Sequence, residues 1–184
     1  MKKLAIALAA AAMLLGSALS AQAQGKYGPD SAKCLQYLSY YREYFKQKSY
    51  DDATRNWRKA YETCPPTCNQ QMLADGAALL RKLIAKNSKN PIYREALVDS
   101  LMTVHNQRIQ YFPNSKSFET AVNNKGLDII NYVKDNDQRA YALYNEVIET
   151  NKEKTTPNVL LYSLNTAISL YKVGVIDEEE VINV

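Results

Sequence analysis

Apolar residues recur along this chain at spacings of three and four, with no sustained alternation at two. That is the period of a helix and not of a strand. Helical patterns run over 31–48, 51–64, 69–87, 91–111, 116–134, 137–152 and 157–173, and another starts near Asp177. The prolines Pro29, Pro65, Pro66, Pro91, Pro113 and Pro157 all fall between these patterns or in a first turn. Helices require this distribution, because a proline in a helix interior costs about 3 kcal/mol. The first helix carries Cys34, Leu35, Leu38, Tyr41 and Phe45 on one flank and Tyr37, Tyr40 and Tyr44 on another. A helix apolar on two flanks must be covered on two sides, as in layered helix pairs. Gly76 and Gly126 sit inside helical patterns. There, glycine costs about 1 kcal/mol relative to alanine, and close approach of a neighbouring helix is the reason to expect it. Asp177-Glu178-Glu179-Glu180 puts negative charge in a first turn, which suits a helix N-terminus.

The start of the chain follows different rules. Lys2 and Lys3 precede an apolar run from Leu4 to Leu15, and Ala21 and Ala23 then supply small residues two apart. This pattern predicts a secretory signal peptide over 1–23, cut after Ala23. The run is too short to span a bilayer, which takes about 20 residues, so an N-terminal anchor is the weaker alternative. Residues 24–30 read as a flexible leader. The remaining length is enough for one domain with a real core. The chain's formal charge is +4, and Lys2 and Lys3 leave with the signal. A near-neutral balance with interspersed signs argues against a nucleic-acid partner. There are 14 tyrosines against 3 phenylalanines, a bias that packs rings while keeping hydroxyls wet.

Residues 34–65 read CLQYLSYYREYFKQKSYDDATRNWRKAYETCP. This segment resembles one tetratricopeptide repeat (TPR), a helix–turn–helix unit of 34 residues. The match rests on Tyr37, Tyr44, Tyr50, Ala53, Trp57, Ala60 and Pro65. The resemblance implies small residues at Ala53 and Ala60 where two helices approach, and large ones at Tyr44 and Trp57 to fill space between hairpins. Tyr50 would pack at the turn, Asp51 would cap the second helix, and Pro65 would end it. Tyr41 departs from the pattern, standing where the family has a small residue. Lys48-Ser49 also departs, replacing the usual turn glycine. A partial second match covers 168–181, with Gly174 at the turn and Ile176 in place of the tyrosine. The implied fold is all-α: a right-handed superhelix of antiparallel hairpins over 31–184, an α-solenoid truncated at its C-terminal end. The sequence is also similar to exported TPR proteins of Bacteroidota-type bacteria, which implies a periplasmic setting.

Three cysteines accompany this pattern. Cys34 opens the first helix and Cys64 closes the second, and antiparallel helices bring those ends together. A Cys34–Cys64 bridge is the first expectation and Cys34–Cys68 the second. Cys64–Cys68, which would enclose two prolines, comes last. Such a bridge contributes about 3–4 kcal/mol by chain-entropy reasoning. Redox catalysis is disfavoured, since the close pair has three intervening residues and follows a helix instead of opening one. Metal binding is disfavoured as well, because no paired ligand spacing accompanies the single His105.

Nothing else in the chain carries chemistry. There is no nucleophile elbow, no glycine-rich phosphate loop and no His–Glu metal motif. His105 reads as a surface or groove residue. The expected function is therefore a non-catalytic protein-interaction scaffold of the cell envelope, with no cofactor and no stable membrane anchor. It would hold a protein or peptide in a groove that includes Leu38, Arg42 and Phe45. Leu38 stands where a clamp for a C-terminal carboxylate would need a polar residue, which favours an aromatic and aliphatic groove. The rivals are a glycan- or peptidoglycan-binding module and the repeat part of a longer enzyme. Protein recovered from a bacterial periplasm should begin at Gln24, which N-terminal sequencing or intact mass checks.

Overall fold

The computed structural model describes residues 25–134 and 136–182, and every regular element among them is helical. The signal peptide expected over 1–23 lies outside the described residues. The helices are α1 (Ser31–Lys46), α2 (Tyr50–Thr63), α3 (Gln70–Lys86), α4 (Pro91–Tyr111), α5 (Phe118–Tyr132), α6 (Asp137–Asn151), α7 (Pro157–Lys172) and α8 (Glu178–Ile182). Short 3-10 turns at Pro66–Cys68 and Lys152–Lys154 join α2 to α3 and α6 to α7. The boundaries follow the local chemistry. Asn90 accepts a hydrogen bond from the Tyr93 N–H with Pro91 at the first helical position, and Asn136 caps α6 through the Arg139 N–H. Asp177 accepts from the Glu180 N–H at the start of α8. Each oxygen satisfies a backbone donor that the helix itself leaves unpaired. No helix among the described residues is long and apolar enough to cross a membrane.

The chain divides into two compact units, one ending at Met72 and the other beginning at Leu73. The first unit is a hairpin. α1 and α2 pack side by side, and the Cα atoms of Cys34 and Cys64 lie 5.1 Å apart across a disulfide, so the helices run antiparallel. Its core takes Cys34, Leu38 and Tyr41 from α1 and Ala53, Trp57 and Ala60 from α2. Ala53 and Ala60 are wholly inaccessible, and so is Tyr41. The ring that departs from the repeat pattern is thus part of the core. Trp57 donates its Nε1–H to the Met72 carbonyl at 2.9 Å and stacks on Tyr61 with centroids 5.2 Å apart. A buried indole needs such a partner, since an unpaired N–H would carry its full desolvation cost. Residues 25–30 form a turn in which the Gly28 N–H donates to the Gly25 carbonyl. Gly28, at φ +75°, lies against Pro65, where a Cβ would come within 3.0 Å of the proline ring.

The turn between α1 and α2 closes in a specific way. The Lys48 N–H donates to the Phe45 carbonyl and the Ser49 N–H to the Tyr44 carbonyl. This places Lys48 at φ 59°, the left-handed region that glycine normally fills. The same pair of bonds recurs after α7, from Gly174 to Tyr171 and from Val175 to Leu170, with Gly174 at φ 73°. The cap of α2 differs from the expectation: α2 begins at Tyr50 with Ser49 at the N-cap, so Asp51 lies inside the first turn. A three-residue turn leaves Ser49 as the last non-helical residue. Its hydroxyl bonds the Asp52 carboxylate at 2.7 Å.

In the second unit α4 packs on α5, α5 on α6 and α7, α6 on α7, and α7 on α8. Gly126 explains how α5 meets two helices. A Cβ there would stand 2.5 Å from Val159 Cγ2 and 3.4 Å from Val147 Cγ1. The absent side chain is what lets α6 and α7 both reach α5. Asn123 on α5 ties down the linker ahead of α7, donating to the Lys154 carbonyl and accepting from the Thr156 N–H. Tyr144 is buried on α6, and burial pushes its hydroxyl up to about 12. Two substitutions should act with opposite sign in urea unfolding. Lys48→Gly should stabilise by roughly 1 kcal/mol by relieving a left-handed residue. Gly126→Ala should destabilise by about 1–3 kcal/mol through overpacking against Val159.

Candidate functional site

The exposed side of α1 carries the first candidate. A cleft of about 300 Å³ opens beside α1. It is lined by Tyr27 from the leader, Leu35, Leu38, Ser39, Arg42, Glu43 and Lys46 from α1, and Asn69 from the turn into α3. Helical spacing explains the grouping: positions 35, 38/39, 42/43 and 46 recur on one face. Leu38 is buried and Leu35 is about half exposed, so the floor is aliphatic. Arg42 and Lys46 place two cations at the rim with one carboxylate, Glu43, and the neutral polar groups of Tyr27, Ser39 and Asn69 complete it. Two of the three groove residues read from sequence, Leu38 and Arg42, therefore share this cleft. Phe45 instead packs edge-on against Tyr50, with centroids 5.9 Å apart. Among the repeat residues, Tyr37 is half-buried with the Lys59 ammonium 5.6 Å above its ring, and Tyr44 is exposed.

The cysteines cluster where α1 begins and α2 ends. Cys34 and Cys64 are bonded and Cys68 is a free, buried thiol. All three sulfur atoms lie within 4.8 Å of one another. With two of them joined, the trio presents no set of thiolates to a cation. Burial pushes the Cys68 thiol up from its ordinary value, and the Lys26 ammonium works weakly against this.

The second unit holds a polar cluster that the sequence reading missed. His105 is buried, 1% exposed, and not at a surface or groove. Its Nε2 lies 2.7 Å from Asp128 Oδ2. Arg81 Nε donates to both oxygens of the same carboxylate, at 2.8 and 3.0 Å. A carboxylate only accepts, so His105 donates from Nε2, and its Nδ1 is left buried without a hydrogen bond. Desolvation lowers the His105 pKa below 6.5, outweighing the Asp128 carboxylate that raises it. The cluster is therefore neutral histidine, carboxylate and guanidinium, with Arg81 reaching toward solvent. One signal was available: His105 continues the apolar stripe of Val98, Leu101 and Met102 at spacings of three and four.

A further cleft of about 300 Å³ lies among α4, α5 and α6, lined by Ile109, Val122 and Val147 with the amides of Asn106 and Gln110. Lys125 is buried there and pairs with the exposed carboxylate of Glu146. Compared with known proteins, the chain matches no family model, no curated protein and no solved structure.

The histidine cluster sets a pH dependence. A histidine held neutral in the fold binds fewer protons than in the unfolded chain. Its stability is intact above pH 6.5 and falls as the pH drops below that value toward the lowered folded pKa. Melting of the wild type should lose stability on acidification from pH 6.5, and His105→Gln should flatten that slope. Asp128→Asn should cost about 3 kcal/mol at pH 7 by leaving Arg81 without its counter-charge.

Proposed function

We propose that this chain is an exported, non-catalytic scaffold of TPR-like helical hairpins that holds a protein or peptide segment in the α1 cleft. The observation that carries the reading is the cleft itself. It sets aliphatic Leu35 and Leu38 beneath the cations of Arg42 and Lys46 on a rigid, disulfide-stapled helix. Such a surface suits an extended segment with an apolar residue next to an acidic one. The leucine takes the apolar side chain, and arginine pairs with carboxylate in a planar fork.

Several features support the repeat reading. Two helix-to-helix turns close with the same hydrogen bonds around a left-handed residue. The hairpin of α1 and α2 buries Ala53 and Ala60 completely. Helix α5 contacts both the next helix and the one after it, as a first helix does in stacked pairs. Export is supported by the disulfide, which persists in oxidising compartments. The non-catalytic reading draws support from His105, which is enclosed among core residues and holds its proton against Asp128.

Site-specific photo-crosslinking tests the proposal. A benzophenone side chain at Ser39, in the protein expressed in its native cell, should give a discrete polypeptide adduct. Arg42→Glu should weaken capture about tenfold, the equivalent of about 1.4 kcal/mol. A benzophenone at Lys89, in the other unit, should not give the same adduct. Adducts that carry saccharide and no polypeptide would make the protein a glycan-binding module. No adduct above the Lys89 control would remove the cleft from consideration.

A further inference from the structure

The protein holds three sulfur atoms in one buried pocket and bonds only two of them. Cys34 comes from the first turn of α1, Cys64 from the residue after α2, and Cys68 from the end of the 3-10 turn Pro66–Cys68. Their residues are 0%, 5% and 0% exposed, and each sulfur lies within 4.8 Å of the other two. A thiol this close to a disulfide is a nucleophile beside its electrophile. Thiol–disulfide exchange proceeds by attack of a thiolate on a disulfide sulfur and requires no outside oxidant or reductant.

We propose that Cys68 is an internal nucleophile that moves the bridge of the first hairpin from Cys34–Cys64 to Cys34–Cys68. The Cys68 thiol gives up its proton to solvent, and its sulfur attacks Cys34 Sγ. The Cys34–Cys68 bond forms as the Cys34–Cys64 bond breaks. Cys64 leaves with the electron pair and takes up a proton. One disulfide and one thiol enter and leave, so the step needs no oxidant or reductant.

The direction follows from the chain. Attack on Cys64 would close a ring over Pro65-Pro66-Thr67, two of whose φ angles are held near −65° by proline. Attack on Cys34 joins segments far apart in sequence and leaves that short stretch unstrained. Burial keeps Cys68 mostly as the thiol at neutral pH, so exchange is slow there and speeds up as the solution becomes alkaline. The two isomers differ in what they staple. The Cys34–Cys64 bridge ties α1 to the end of α2, whereas the Cys34–Cys68 bridge ties α1 to the turn that enters α3. Exchange therefore decides whether residues 65–68 hang from α2 alone or are also pinned to α1.

The test uses the whole processed protein. It is incubated without oxygen at about pH 9, near the ordinary thiol value, then quenched in acid. The free thiol is blocked with N-ethylmaleimide under acidic denaturing conditions and located by peptide mass spectrometry. Label should appear on both Cys68 and Cys64. The Cys64 share should reach at least about a tenth, as for an isomer about 1.4 kcal/mol less stable. Cys64→Ser protein, exposed to a mild disulfide oxidant, should form the Cys34–Cys68 bridge and retain no free thiol. Label confined to Cys68 in the wild type would overturn the proposal, as would two persistent thiols in folded Cys64→Ser protein. Label on Cys34 would refute the assigned direction by revealing a Cys64–Cys68 bridge.

Discussion

Two methyl groups govern the first unit. Ala53 and Ala60 are fully enclosed on α2, and they let that helix lie against α1 without displacing the larger residues of the same hairpin, Tyr41 and Trp57. Packing density in protein interiors leaves no slack for a bigger side chain at such positions. The other features of the hairpin follow from this approach. It brings Cys34 within bonding distance of Cys64, leaves the outer face of α1 free to form the cleft at Leu35, Leu38 and Arg42, and sets Trp57 where its N–H meets the Met72 carbonyl. Gly126 does the same service in the second unit, with the side chain removed altogether so that Val159 and Val147 can reach α5.

Two buried clusters handle polarity in different ways. At Asp128 the charge is met in full: one guanidinium N–H reaches both oxygens and a neutral imidazole adds a second donor. This arrangement satisfies the carboxylate while leaving only one neutral acceptor, His105 Nδ1, unpaired. At the sulfur cluster the polarity is weak, and burial holds the free thiol protonated at neutral pH. Burial there costs little in free energy, since a thiol behaves as a small apolar group, and it places a nucleophile next to a bond that it can attack. The first cluster stabilises the second unit at neutral pH, and the second makes the staple of the first unit exchangeable.

Much of the helical plan was legible because several helices are bracketed by their own chemistry. Pro91 and Pro157 open α4 and α7 at positions where no N–H is needed, Asn90 and Asn136 cap α4 and α6, and Gly174 turns the chain after α7. Expected and observed ends agree within about two residues, the ordinary uncertainty of helix termini. The α1–α2 hairpin and its Cys34–Cys64 bridge were legible for a related reason: both follow from a short turn between two helices of similar length. Less was visible of the sites. Arg42 and Leu38 were placed on a groove, but Phe45 was drawn away by Tyr50 across the turn. His105 looked peripheral because nothing local announces that Asp128, 23 residues on, and Arg81 converge on it.

The chain by itself determined which stretches are helical and where they stop, and it ranked Cys34–Cys64 first among the possible bridges, because these depend on neighbours a few residues away and on short closures. Only the tertiary structure decided that Tyr41 belongs in the core, that Lys48 must accept a left-handed backbone, that His105 is enclosed, and that Cys68 joins the other two sulfurs. Each of those outcomes depends on how closely separate helices approach, and that distance is set by side chains far apart in sequence acting together.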